Sequence, residues 1–194
     1  MYSPSGTTAS TSRAQAVTNT YSSTIKTTID SWYSTNISGT DYSDYISDTL
    51  FCNNRNIGGG PGYGNLLTDY EIVYQLFNDN PFAQFKCFDQ NDRFTVSDTT
   101  IGNGDLTFPV GFLAIDEALL AGVNNASTST YLDTNQVYWA PTPVQTGYIG
   151  YIDSTGEMDS SSPTSVFGVR PVINLKPNTK VSGVGTTANP YKVV

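Results

Sequence analysis

Two late segments constrain the fold more than any other part of the chain. The run 168–175 (Gly-Val-Arg-Pro-Val-Ile-Asn-Leu) follows 138–143 (Tyr-Trp-Ala-Pro-Thr-Pro) by about 30 residues. Most of the later run is apolar and β-branched, but Arg170 needs an anionic or carbonyl partner and Pro171 removes a hydrogen-bond donor. The run therefore predicts a strand at a sheet edge or bulge, in which Arg170 pairs inside the protein.

Two carboxylates are the expected partners of Arg170. Asp116 and Glu117 follow a buried run and open a short helical pattern, where they could equally cap the helix. Arg170 could instead grip a ligand carboxylate or sulfate. A catalytic carboxylate pair is the remaining alternative, but that chemistry requires a set separation of the two groups. We predict structural roles for all three residues and no catalytic residue.

Composition excludes several classes of function. Charged residues make up only 13% of the 194 residues, about half the usual share, so hydroxyls and amides supply most of the polarity, as in exported proteins. A net charge of -8 argues against nucleic acid as a partner. The chain has no histidine, which removes Ser-His-Asp and Cys-His hydrolases. No apolar run reaches about 18 residues, so this chain is not expected to insert into a membrane.

Cys52 and Cys87 are the only cysteines. An even pair in an acidic chain of exported character predicts a disulfide. Two buried free thiols are the alternative. A zinc or CxxC redox site is excluded by the spacing and by the lack of further ligands.

The first half of the chain is predicted to be mainly helical. Residues 1–23 are rich in Ser and Thr and are expected to pack along a single domain formed by 24–194, with a free tail as the alternative. Apolar spacing predicts a helix from Thr24, and 68–71 (Thr-Asp-Tyr-Glu) is a capping box for a later helix ending at 80–81. A short helix after Thr40 lies between them. The inward residues expected on the first two helices are Ile25, Ile29, Trp32, Tyr33 and Ile37, then Tyr42, Tyr45, Ile46 and Leu50.

The second half changes to strands and loops. A short helix over 116–121 is stopped by Gly122, and 154–156 (Ser-Thr-Gly) is a hairpin turn. Helices first and short strands last predict an α+β fold with long loops. The predicted strands are 93–96, 106–113, 137–140, 148–152, 166–175 and 191–194.

Short motifs spread over nearly the whole chain resemble one protein family. It is an uncharacterised family of bacterial, mainly Firmicutes, extracellular domains associated with surface or prepilin-like proteins. The matching segments are 23–26, 30–33, 48–55, 91–94, 109–113, 116–117, 121–122, 138–139 and 168–175. The chain departs from the family pattern at Ala140, where Thr or Ser is usual, and at Ile115, where Thr is common.

This resemblance implies a fold and a setting. The family is similar to the C-type-lectin-like fold of formylglycine-generating enzymes and retroelement variable proteins, in which a Trp strand also precedes a late Gly-x-Arg strand. It further implies that Met1 falls after additional N-terminal strands. We therefore expect this chain to be a fragment of a longer protein that is held at a bacterial surface or appendage.

Recognition is expected in the late loops. Tyr, Trp, Ser, Asn and Gly cluster in residues 122–163, and such residues form adaptable binding surfaces. Because alternate strand positions point inward, Trp139 is assigned to the core. The predicted ligand-binding residues are Tyr131, Gln145, Tyr148, Tyr151 and Asp153.

No cofactor is predicted, and calcium is the alternative. The run 89–92 (Asp-Gln-Asn-Asp), and Asp153 with Glu157 and Asp159, supply oxygen ligands that suit calcium. Neither cluster has EF-hand spacing or the calcium triplets of lectins with this fold, and ordinary solvated turns explain both.

The sequence therefore predicts an extracellular, non-catalytic domain that binds a protein or glycan. The alternative is a structural subunit or tip domain of an extracellular filament, such as a pilus-like or phage fibre, which would associate with itself. An oxidase of the formylglycine-generating kind is a third hypothesis. Cys52 and Cys87 argue against it, because they lie in the early half and away from the late strands.

Overall fold

A computed structural model describes residues 9–20, 22–73, 87–123, 130–186 and 188–194. It confirms a mixed α+β fold with antiparallel sheets. Residues 71–73 are also helical. The named helices are α1 (Arg13–Ala16), α2 (Thr24–Asn36) and α3 (Ile115–Leu120), with 3-10 helices at Asp41–Tyr45 and Gln90–Asp92.

Eleven strands form four sheets within the described ranges. Two-stranded sheets pair β1 (Phe51–Cys52) with β4 (Arg93–Phe94), β5 (Gly111–Phe112) with β9 (Pro171–Val172), and β10 (Val181–Ser182) with β11 (Lys192–Val193). The largest sheet has the order β2-β3-β6-β7-β8. Its strands are β2 (Ile57–Gly59), β3 (Asp69–Tyr70), β6 (Tyr138–Gln145), β7 (Tyr148–Ile152) and β8 (Met158–Ser161).

Helix α2 begins where the sequence predicts. The hydroxyl of Ser23 accepts a hydrogen bond from the Lys26 N–H and caps the helix. Ile29 and Tyr33 are buried, and Tyr33 stacks on Phe108 with ring centroids 5.2 Å apart. Trp32, however, is 37% exposed. The prediction that it faces inward is wrong, because the buried stripe of this helix is only one residue wide per turn.

The second predicted helix is a single 3-10 segment, Asp41–Tyr45, which Thr40 caps through the Tyr42 N–H. Ile46 is buried and forms an isolated bridge with Leu175. Tyr42 is 62% exposed, which contradicts its predicted inward position. A 3-10 turn has about three residues per turn and therefore presents a different face from the α-helix assumed.

The capping box at 68–71 does not form. The Thr68 hydroxyl donates to the Gly62 carbonyl and accepts from the Gly62 N–H, so it closes the glycine-rich loop instead. Asp69 and Tyr70 form strand β3, and helical structure starts only at Glu71. The predicted end of this helix at 80–81 lies outside the described residues.

Among the late strands, β6 is longer than its predicted span, β7 matches it and β9 is shorter. Strand β6 continues through Pro141 and Pro143 to Gln145, with register shifts around Pro143, whereas only Pro171–Val172 is a strand within 166–175. Strand β7 matches its predicted span, and β8 was not predicted. Bulges at the prolines let β6 keep pairing on either side of them.

The main core lies between α3 and one face of the five-stranded sheet. The Ile115 N–H at the start of α3 donates to the Thr142 hydroxyl of β6 at 3.0 Å, which fixes the helix on the sheet. The buried cluster contains Ile72, Ile115, Ala118, Val123, Leu132, Tyr138, Ala140, Val144, Ile152 and Met158. A second cluster joins α2 to the β5 region through Ile29, Tyr33, Ile46 and Val110.

The predicted disulfide is confirmed. Cys52 and Cys87 are bonded, with their Cα atoms 5.7 Å apart. Their bridge joins β1 to the segment that leads into β4, and the Cys87 Sγ lies 3.2 Å from the Asp92 carbonyl. Within the part of the chain that the structure describes, none of the helices has the length and apolar character needed to cross a bilayer.

A buried ion cluster lies beside this bridge. Asp92 is fully buried, and its two carboxylate oxygens accept from the Arg55 Nε and from the Arg55 backbone N–H. The Arg55 guanidinium also donates to the carbonyls of Ala16 and Asn91 and lies 5.3 Å from the Phe94 ring centroid. The buried guanidinium is thus neutralised by a carboxylate and surrounded by further acceptors, as a buried charge requires.

Helix α1 contacts this cluster from the outside. Arg13 pairs with Asp89 at 2.8 Å and with Asp92 at 3.2 Å, and the Tyr63 hydroxyl donates to the Arg55 carbonyl. Burial acts to raise the pKa of Asp89, but hydrogen bonds from the Asn91 N–H and from Arg13 hold that pKa below its ordinary value. Residues 9–20 are therefore connected to the disulfide-braced region by charge as well as by backbone contacts.

Candidate ligand-binding surface

The two faces of the five-stranded sheet differ in character. Residues opposite each other in an antiparallel pair share a face. Tyr138 is opposite Ile152, which places both on the α3 side, whereas Trp139 is opposite Tyr151, and Tyr151 is opposite Asp159. Trp139, Tyr151 and Asp159 therefore lie on the face that α3 leaves uncovered.

Three aromatic rings pack together on this uncovered face. Phe167 is 4.6 Å from Trp139 and 4.6 Å from Tyr151 between ring centroids, with tilted planes, and Trp139 meets Tyr151 edge to face at 6.3 Å. Trp139 is only 2% exposed, while Tyr151 and Phe167 are half-buried. The buried indole supports two rings that remain accessible. We call Trp139, Tyr151, Asp159 and Phe167 the outer aromatic surface.

The position of Phe167 depends on the glycine that follows it. Gly168 bridges to Tyr138 beside β6: the Trp139 N–H donates to the Gly168 carbonyl, and the Gly168 N–H donates to the Val137 carbonyl. A Cβ at Gly168 would lie 2.9 Å from that Val137 oxygen. Glycine therefore permits the close approach that brings Phe167 onto Trp139.

Polar groups border the outer aromatic surface. The Tyr151 hydroxyl donates to an Asp159 carboxylate oxygen at 3.0 Å, and burial together with this carboxylate raises the pKa of Tyr151. The adjoining segment 160–165 (Ser-Ser-Ser-Pro-Thr-Ser) is rich in hydroxyls; Ser161 bonds Ser165 at 2.8 Å and Ser162 bonds Thr164 at 2.9 Å. Rings, one carboxylate and several hydroxyls thus occupy neighbouring positions.

The predicted ligand-binding residues on the β6–β7 hairpin lie at different positions along it. Tyr151 belongs to the outer aromatic surface, but Gln145 and Tyr148 pair with each other at the opposite end of the β6–β7 hairpin. Tyr148 is three residues from Tyr151, or about 10 Å along the strand. Tyr148 is 43% exposed and Tyr131 is 81% exposed; Gln145 donates to Asp69 at 3.3 Å.

Asp153 has a local role in the β7–β8 turn. Its Oδ1 accepts from the Thr155 N–H at 2.8 Å, the Thr155 hydroxyl at 2.7 Å and the Glu157 N–H at 2.9 Å. These bonds close the turn predicted at 154–156. Through this oxygen, which accepts three hydrogen bonds, Asp153 organises the hairpin that presents Asp159.

The Asp153 turn should make stability depend on pH. Burial acts to raise the pKa of Asp153, but the hydrogen bonds from Thr155 and Glu157 outweigh burial and lower that pKa below its ordinary value. A carboxylate with a lowered folded-state pKa stabilises the fold above its unfolded pKa of about 4 and loses that contribution as pH falls through the folded value. We expect Asp153→Asn to lower the melting temperature at pH 7, and the difference from wild type to shrink below about pH 4. Thermal unfolding from pH 7 to pH 2 measures this, with the exposed Asp44→Asn as control; an unchanged difference across that range would contradict the assignment.

Arg170 has partners other than those predicted. Its guanidinium donates to the Leu132 carbonyl at 3.0 Å and lies 4.2 Å from the Tyr138 ring centroid. The predicted pairing with Asp116 or Glu117 is therefore wrong: a carbonyl and a ring hold the arginine. Glu117 instead accepts a hydrogen bond from the Ala114 N–H at 2.8 Å, as one half of a capping box. Burial raises the pKa of Glu117, although this hydrogen bond acts to lower it. Asp116 is buried in the first turn of α3.

Sequence reasoning missed Phe167 and did not assign Asp159 to binding. The available signal for Phe167 was its place between a Trp strand and the glycine of the late Gly-x-Arg run, since a glycine there indicates close backbone approach. Asp159 could have been found from the 154–156 turn, because a hairpin about that turn places residue 159 opposite Tyr151.

The chain has no match among protein-family models, curated proteins or solved structures.

Among the described residues, no three His, Cys, Asp or Glu side chains are grouped so that they could hold a metal ion. The outer aromatic surface and its border offer stacking area from two accessible rings, a carboxylate bound by a hydroxyl, and several serine and threonine hydroxyls.

Proposed function

We propose that this chain is a non-catalytic extracellular binding domain that recognises a protein or glycan ligand through its outer aromatic surface. The observation that carries the proposal is the trio of Trp139, Tyr151 and Phe167, in which a buried ring supports two accessible ones beside Asp159. Rigid rings supply contact area at low entropic cost, and the neighbouring hydroxyls supply adaptable hydrogen bonds.

Several features support an extracellular binding role over catalysis. The Cys52–Cys87 disulfide fits an oxidising compartment. The carboxylates near the sheet are used structurally, since Glu117 caps α3 and Asp153 closes a turn. A C-type-lectin-like arrangement, in which late strands and loops carry the ligand, is our proposal for the architecture. It is motivated by the Tyr-Trp and Gly-Val-Arg-Pro motifs, which here meet through the bridge between Tyr138 and Gly168.

The experiment is a glycan and protein array screen, followed by affinity measurements on variants. For the ligand that the screen identifies, we expect Tyr151→Ala and Phe167→Ala each to weaken binding by about tenfold or more, as for a central aromatic anchor. Tyr148→Ala and Tyr131→Ala are matched controls, because both remove a tyrosine from elsewhere on the surface and should leave affinity within about twofold.

Circular dichroism must show that each variant is folded. Unchanged affinity in folded Tyr151→Ala and Phe167→Ala proteins would move the site away from the outer aromatic surface. Loss of binding in Tyr148→Ala instead would place it at the opposite end of the β6–β7 hairpin.

The second candidate function is that of a structural subunit or tip domain of an extracellular filament. It is favoured by a separate part of the molecule, the C-terminal hairpin β10–β11, which projects apolar side chains into solvent. Polymers that form without any ligand would support this function, whereas a monomer at all concentrations would remove it.

A further inference from the structure

The C-terminal hairpin is a formed element without a covering layer in the described structure. Strands β10 and β11 pair Val181 with Val193 and Ser182 with Lys192, and the Val194 N–H donates to the Lys180 carbonyl. At the turn, the Tyr191 ring lies over Gly185, where a Cβ would come within 2.6 Å of it. Every described residue from 180 to 194 is nonetheless exposed.

One face of this hairpin is apolar. Val181 and Val193 lie opposite each other and are 46% and 38% exposed. Tyr191, which directly precedes β11, is 63% exposed. A two-stranded hairpin alone in water is marginally stable at best. Covering this face would both stabilise the hairpin and remove its apolar surface from solvent.

The hairpin also differs from the rest of the chain in charge. Residues 176–194 contain three lysines, Lys176, Lys180 and Lys192, and no acidic side chain. Of the chain's nine basic and 17 acidic side chains, the other residues therefore carry six basic and all 17 acidic ones, a side-chain charge of -11. We call residues 176–194 the basic arm and the rest of the chain the acidic body.

We propose that the hairpin docks onto the acidic body of a second copy of this chain. Charge complementarity selects this occupant, since the body of another copy attracts an arm that carries +3. Two arms placed face to face would repel each other, which disfavours a contact between identical hairpins. If two copies exchange arms, the contact closes as a two-fold dimer; if the exchange is not reciprocal, it generates a ring or an open filament. The arm itself lies outside the outer aromatic surface, so this proposal and the proposed ligand binding rest on different residues.

Sedimentation velocity of the purified chain over a range of concentrations tests the proposal. We expect concentration-dependent association at low ionic strength that weakens as salt is raised from about 0.05 to 0.5 M, because screening shortens the reach of the charges. The double variant Lys180→Glu/Lys192→Glu should weaken association by about tenfold or more. Lys180→Arg/Lys192→Arg is the matched control: it keeps the charge and should associate as wild type does.

The apolar face is tested separately with Val181→Ser/Val193→Ser, which should also weaken association while leaving the charge unchanged. Carbodiimide coupling in a mixture of isotopically light and heavy chains then identifies the contact. The expected products join Lys180 or Lys192 of one copy to a body carboxylate of another.

Three outcomes would overturn the proposal: a wild-type chain that stays monomeric at all concentrations, association unaffected by the Lys→Glu changes, or lysine cross-links confined within one chain. Ligand affinity measured on the Lys→Glu protein keeps the two proposals apart, since that protein should bind the ligand like wild type even when association is lost.

Discussion

Asp92→Ala is expected to lower the free energy of unfolding by about 3 to 5 kcal/mol, one of the two largest effects that the structure predicts. The substitution removes the carboxylate that pairs with the buried Arg55 guanidinium and with Arg13. The side chains of Arg55 and Asp92 are 4% and 1% exposed, so the variant would keep a buried guanidinium without its Asp92 carboxylate. Chemical denaturation followed by far-UV circular dichroism measures the change.

Two further variants sharpen this test. Asp92→Asn keeps the volume and part of the hydrogen bonding, so a large loss in that variant would show that the charge itself is required. Asp44→Ala removes an exposed aspartate and should change stability by no more than about 0.5 kcal/mol. If Asp92→Ala cost less than about 1 kcal/mol, the ion cluster could not be the element that fixes this region.

The second large effect is expected from the disulfide. The bridge spans 35 residues, and in the loop-entropy model closing a loop of that size restricts the unfolded chain by about 4 kcal/mol. Cys52→Ala/Cys87→Ala should therefore destabilise the protein by about that amount. Alanine is chosen because Cys87 is buried, and a serine hydroxyl there would add a desolvation penalty.

Reduction provides an internal control for the disulfide prediction. In a thiol reductant, the wild type should lose about as much unfolding free energy as the double alanine substitution removes. The reductant should not change the stability of the alanine variant. A wild-type curve that reductant leaves unchanged would contradict a stabilising bridge, provided that thiol titration confirms its reduction.

Features encoded by neighbouring residues were predictable from the sequence. The apolar spacing that includes Ile29 and Tyr33 places α2 correctly, because helix periodicity is a local property. The span of β7 and the 154–156 turn follow from alternation and turn chemistry in the same way. The Cys52–Cys87 pairing was predictable because only two cysteines exist.

Features that depend on contacts between distant segments were not predictable. Nothing near Asp92 in the sequence indicates that it meets Arg55, 37 residues away. Arg170 was expected to find a carboxylate, but backbone carbonyls are acceptors everywhere along a chain and leave no sequence signal. The exposed positions of Trp32 and Tyr42 were missed for a related reason: an aromatic ring favours burial, but which face is buried depends on the packing partner.

The recognition surface was predictable only in part. Tyr151 and the aromatic character of the late region came from composition, whereas Phe167 joins Tyr151 only through the bridge between Tyr138 and Gly168. The outer aromatic surface therefore depends on contacts between segments that are distant in the sequence.

The disulfide also determines how the chain would carry mechanical tension. A pulling force applied to the two ends of the molecule would pass from Cys52 to Cys87 through the covalent bridge, so the segment between them would bear no load. Arg55 lies within that shielded segment and donates to the carbonyl of Ala16, the last residue of α1. Because Ala16 precedes Cys52 and lies on the loaded path, this contact would join a loaded segment to one that the bridge shields.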